Sequence, residues 1–96
     1  MKIVDAIDII RESLKTNTYT INRSHDGRVT SDMLHVSIDH VVYEIISYLE
    51  SNVINFRVIT DENDTLVHVD GDDIKTNIHN LFDEITNLSK LKYLNN

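Results

Sequence analysis

Six of the sixteen acidic residues fall within thirteen positions, at Asp61, Glu62, Asp64, Asp70, Asp72 and Asp73, and no Lys or Arg interrupts them. The segment carries −6, and the other eighty-three residues carry only −1 of the net −7. A concentrated field selects partners in a way that a diffuse one does not. Carboxylates can stand in for phosphates in a basic cleft, steering the encounter and accepting charge-assisted hydrogen bonds from Arg. The same residues also serve ordinary structure, because Asp and Asn suit turns and Asp at a helix start favours the dipole. Asp61-x-Asn63-x-Thr65 opens like a calcium loop, but Leu66 stands where that loop requires Gly.

The five histidines are His25, His35, His40, His68 and His79. None forms H-E-x-x-H or a helical i, i+4 pair. His35 and His68 hold matching places in a short internal similarity, so with Asp39 or Asp72 they offer a zinc reading. Plain surface histidines are the other reading. No G-x-S-x-G, P-loop or G-x-G-x-x-G is present, and two glycines are too few for a phosphate-cradling loop. The expectation is a protein that is not an enzyme, with no catalytic residues, no cofactor and no assigned metal ligand.

Elements must place these groups. Ile3, Ile7, Ile10 and Leu14 make one helical stripe, with Asp5 and Asp8 in the first turns and Lys15 at the end, so a helix is expected over 2–15. Thr18 to Arg23 alternates as a strand, Asp26-Gly27 signals a hairpin, and the return strand should cover Val29 to Val36. From there two readings compete. Leu34, Ile38, Val41, Ile45 and Leu49 also fit one helical face, so a middle helix could start near Ser31. The similarity of His35-Val36-Ser37-Ile38-Asp39-His40-Val41 to His68-Val69-Asp70-Gly71-Asp72-Asp73-Ile74 favours strand, cap and helix in both places, a ββα unit used twice.

The second unit is clearer. Ile54, Phe56 and Val58 alternate, Asp61 to Asp64 forms a turn, and Val67 and Val69 alternate in the return strand. Pairing Thr60 with Thr65 sets Phe56 across from Val69 and Val58 across from Val67 on one buried face. Ile59 beside Leu66 and Arg57 beside His68 then share the opposite face, an apolar patch if no helix covers it. Ile74, Ile78, Leu81, Ile85 and Leu88 mark a last helix over 72–91. Tyr43 and Tyr48, on the expected middle helix, add contact residues suited to an interface.

Ninety-six residues with 41% hydrophobic content make one domain, 1–96, of α+β class. The expected order is αββαββα on a mainly antiparallel sheet, with αβαββα as the alternative. There is no cysteine, no apolar run of signal-peptide length and no run long enough to span a membrane, so a soluble, cytoplasmic protein is expected. Nine scattered basic residues and a pI near 5.0 disfavour direct nucleic-acid binding.

In size, acidity, lack of cysteine and the Asp61–Asp73 cluster, the chain resembles the small acidic proteins with which phages disable host defences, anti-CRISPR proteins and other DNA mimics. The resemblance covers general character and contains no diagnostic motif, so it transfers no residue role. It implies a non-enzymatic inhibitor. Asp61, Glu62, Asp64, Asp70, Asp72 and Asp73 would dock on the basic, nucleic-acid-binding surface of a host protein, such as a CRISPR nuclease, and block substrate access. The second expectation is an interaction or assembly module, a homodimer among them, working through the sheet face. The third is a small zinc-binding protein.

Overall fold

The computed structural model describes the backbone of residues 1–16, 19–25, 31–70 and 72–94, and their side chains except at 25, 66–70, 72 and 89–94. The chain is α+β: helix α1 (Ile3–Leu14), strands β1 (Tyr19–His25), β2 (Ser31–Ile38), β3 (Val41–Tyr48), β4 (Val53–Ile59) and β5 (Asp64–Asp70), then helix α2 (Asp72–Leu94). The five strands form one antiparallel sheet in chain order, β1-β2-β3-β4-β5. The expected Asp26-Gly27 turn lies outside the described residues, and β1 and β2 are the antiparallel neighbours that it would join.

The middle helix does not exist. Its residues form β3, and the longer alternative starting near Ser31 falls with it, because 31–38 is β2. Two local facts decide this. Val41-Val42-Tyr43-Glu44-Ile45-Ile46-Ser47-Tyr48 is dominated by β-branched and aromatic residues, which lose rotamer freedom in a helix and pack well on a pleated surface. Asp39 and His40 both hold positive φ, 50° and 66°. That pair of left-handed residues is the two-residue hairpin loop whose twist matches the flanking strands, and Ile38 faces Val41 directly across it. Asp39 is therefore a turn residue rather than a helix cap. The repeat of a ββα unit also fails: after His35 the chain turns into β3, whereas after His68 it enters α2.

Alternation places Leu34, Val36 and Ile38 with Tyr43, Ile45 and Ser47 and with Ile54 and Phe56 on one buried face. Both helices cover that face. Ile3, Ala6, Ile7 and Ile10 bury the α1 stripe, and Ile78, Leu81, Phe82 and Ile85 bury that of α2, all in a single core. Arg11 on α1 ties the helices together by donating to Glu84 Oε2 and Asn77 Oδ1 at 3.1 and 2.9 Å. Lys75 anchors the start of α2 by donating to the carbonyls of Tyr48, at 2.6 Å, and Ser51 in the β3–β4 turn. No described helix is long and apolar enough to cross a membrane.

Candidate functional site

The acidic segment is laid along the last strand of the sheet. Thr60 builds its first turn. The Thr60 N–H donates to the Asn63 carbonyl at 2.7 Å, and Thr60 Oγ1 accepts from the N–H groups of Asn63 and Glu62 at 3.0 and 3.3 Å. The loop is thus two residues, Asp61 and Glu62, and both are exposed. The expected register is corrected by two positions: Ile59 faces Asp64, Phe56 faces Val67 and Ile54 faces Val69. A slip of two keeps the parity of the pairing, but it changes the neighbours. Arg57 faces Leu66 rather than His68, and Asn55 faces His68.

The register also decides the state of Asp64. Arg57 reaches diagonally across the hairpin and holds both Asp64 oxygens, through Nε at 2.6 Å and through Nη2. The hydrogen bonds hold the Asp64 carboxyl below its ordinary range and the Arg57 guanidinium above its own. Asp61 and Glu62 have no cationic partner among the described residues, and neither has Asp73, exposed in the first turn of α2. The side chains of Asp70 and Asp72 lie outside the described residues. β5 separates the two ends of the cluster, because six residues at ~3.4 Å each span about 20 Å. The structure brings Asp61, Glu62 and Asp64 together at one end and sets Asp73 at the other.

Among the described residues no helix covers the opposite face of the sheet. On it β2 shows Met33 and His35, β3 shows Val42, Glu44, Ile46 and Tyr48, and β4 shows Asn55, Arg57 and Ile59, all half-buried by their neighbours alone. Ile59 lies there as expected, and the Leu66 side chain is outside the described residues. Glu44 sits between His35 and Arg57, so the middle of the face is charged and the apolar groups lie on either side of it. The two tyrosines separate. Tyr48 is on this open face and its hydroxyl accepts from Asn55 Nδ2 at 3.0 Å. Tyr43 is buried on the core face, where burial and then the charge of Asp39 push its phenol pKa up.

His35 and His68 do not pair. Their strands, β2 and β5, are three places apart in the sheet, on the order of 14 Å. Among the described residues no group of three His, Asp or Glu side chains could hold a metal ion. A cleft of about 660 Å³ opens between α1 and α2 beside Leu14 and Leu88. Four of its charged lining residues pair with one another, Arg11 with Glu84 and Lys15 with Glu12, and Asp8 also lines it.

One polar cluster escaped sequence reasoning. Arg23 of β1 donates to both Asp32 oxygens, at 3.1 and 2.6 Å, on the covered face. It also donates to the Phe82 carbonyl at 3.1 Å and to Thr86 Oγ1, and its guanidinium lies 5.2 Å from the Phe82 ring centre. The hydrogen bond to Asp32 raises the Arg23 pKa, burial opposes it, and the charges of Asp32 and Asp83 add to the rise. The signal was parity. Arg23 continues Tyr19 and Ile21, and Asp32 precedes Leu34 and Val36, each charge at an apolar position of its strand.

No protein-family profile, no curated protein and no solved structure matches this chain.

Proposed function

We propose that the domain is a non-enzymatic protein-binding module that presents its acidic β5 edge to a basic surface of a partner protein. Such a surface is the kind that nucleic-acid-handling enzymes use to hold their substrate, and its occupation would block substrate access. The observation that carries this reading is the exposure of Asp61, Glu62 and Asp73 with no cation among the described residues to neutralise them, at the two ends of one strand. Carboxylates so placed accept charge-assisted hydrogen bonds from Arg and Lys and speed encounter with a positive surface. Asp64 contributes less, because Arg57 already holds it.

The test is capture from host lysate at low and high salt, using the intact chain and an Asp61→Asn/Glu62→Gln/Asp73→Asn variant. A nucleic-acid-handling protein retained at low salt, released at high salt and lost by the variant supports the reading. Equal capture by both proteins sinks it.

The helix-free face favours a second reading, an interaction module that buries Val42, Ile46 and Ile59 against a partner or another copy. In that case Ile46→Glu abolishes binding and the acid-neutralised variant binds normally. Sedimentation as a monomer at high concentration removes the homodimer form.

A further inference from the structure

The sheet order leaves one side of the β5 backbone without a neighbouring strand among the described residues. The residues on that side follow from the turn. The Thr60 N–H bonds to the Asn63 carbonyl, so 60 and 63 are a hydrogen-bonded pair. Bonded and non-bonded pairs alternate along an antiparallel ladder. Residues 65, 67 and 69 therefore bond to β4, while Asp64, Leu66, His68 and Asp70 turn their N–H and C=O groups to the open side.

Edge strands are ordinarily protected by lysine, proline, a bulge or a covering element. β5 reads Asp-Thr-Leu-Val-His-Val-Asp, without lysine or proline, and its register runs unbroken from Asp64 to Asp70. It carries instead an aspartate at each end. A second copy pairing antiparallel about Val67 would set Asp64 against Asp70 at both ends, and like charges directly opposite are destabilising. The other edge strand, β1, contains Arg23 and no acid, so a basic segment has no charge reason to choose it.

We propose that β5 takes up, by strand addition, an extended segment of a basic partner protein with Lys or Arg residues six positions apart, one opposite Asp70 and one at the Asp64 end, where Asp64 itself is already held by Arg57. The free main-chain groups bind, and the acidic ends select. The lysine at the Asp64 end also meets Asp61 and Glu62 in the adjoining turn. The proposal rests on the acidic-edge reading and supplies its geometry.

The probe is the capped peptide Lys-Thr-Val-Thr-Val-Thr-Lys. It is compared with a twin N-methylated along one backbone edge and with Thr-Val-Lys-Thr-Lys-Val-Thr, which has the same composition. Nuclear magnetic resonance on the full chain reads binding and amide exchange. The expected result is slowed exchange at the Leu66 and His68 amides, at least tenfold weaker binding of the N-methylated twin, and weaker binding of the peptide with central lysines. Leu66→Pro removes an outward N–H and leaves the β4 ladder intact, so it should cost at least tenfold in a folded protein. If that variant fails to fold, the peptide comparison still decides. Equal binding of all three peptides, lost on neutralising Asp61, Glu62 and Asp73, would overturn strand addition and leave the acidic-edge reading standing. Absence of binding by every peptide overturns strand addition, and lysate capture then judges the acidic edge separately. A dimer that Leu66→Pro dissociates would also overturn it, because the edge would belong to a second copy.

Discussion

Two arginine–aspartate pairs, each joining neighbouring strands, are set on opposite faces of the same sheet. Arg57 and Asp64 lie on the open face, with side chains 40% and 46% exposed, and their fork is closed within the hairpin, with Glu44 of β3 beside Arg57. Arg23 and Asp32 lie on the covered face, 23% and 10% exposed, and Arg23 continues through its guanidinium to the Phe82 carbonyl and Thr86 of α2. The chemistry is shared and the consequence differs. Water screens the first pair, and the entropy of holding two long side chains offsets much of its attraction. The second pair is largely withdrawn from water, so each partner depends on the other to offset desolvation. It also fixes which turn of α2 lies over β1, a positional role that the outer pair does not have.

Breaking the inner pair is the largest effect expected. Asp32→Ala leaves the Arg23 guanidinium without its bidentate partner under α2 and should cost about 3 kcal/mol, at the lower end of the range for a broken buried pair because Arg23 keeps some solvent contact. Urea unfolding measures it, and a loss below about 1 kcal/mol would show the cluster to be as weak as a surface pair. Removing the whole pair should be milder than removing half. Arg23→Met with Asp32→Leu fills the same space with apolar groups, and its stability should fall within about 1 kcal/mol of the parent. If the double variant is as damaged as Asp32→Ala, the contacts to Phe82 and Thr86 carry the stability rather than the ion pair. Near-neutrality would instead leave the cluster the task of fixing helix position, which exchange protection of α2 amides would reveal as a looser helix in an equally stable fold.

The same contrast explains what the sequence disclosed. Stripes at Ile3, Ile7 and Ile10 and at Ile78, Leu81 and Ile85 define both helices, because a one-sided core imposes one period on each. Strands β1, β2, β4 and β5 follow from alternation. β3 was misread because Leu34, Ile38, Val41 and Ile45 satisfy the helical spacing while alternate residues of the same stretch satisfy the strand spacing. Rotamer stiffness and the left-handed pair Asp39-His40 then decide, and neither is a matter of periodicity. Alternation fixes register only to an even number of residues, so the β4–β5 pairing kept its parity and slipped by two. That slip is what gives Asp64 to Arg57. The exposure of Asp61 and Glu62 was legible from turn chemistry alone, whereas the engagement of Asp64 and the bare outer face depend on packing that no local pattern encodes.

The outer pair should respond least, and its pH behaviour sharpens the contrast. Its hydrogen bonds depress the Asp64 pKa in the folded protein below the ordinary 3.8. The folded state therefore binds this proton less readily than the unfolded chain does. Whatever stability the pair supplies is fully present above pH 3.8 and is lost as the pH falls through the lower, folded value. Asp64→Asn should shift the urea midpoint slightly at pH 7 and low salt. The difference should shrink in 1 M salt, where the screening length is about 3 Å, and should vanish at pH values below the folded pKa, where the parent carboxyl is itself protonated. An Asp64→Asn effect that matches Asp32→Ala in size, or that survives both salt and acid, would erase the distinction between the faces. It would make the hairpin pair a structural clamp rather than a screened surface contact, and it would put Asp64 beyond the reach of any incoming cation.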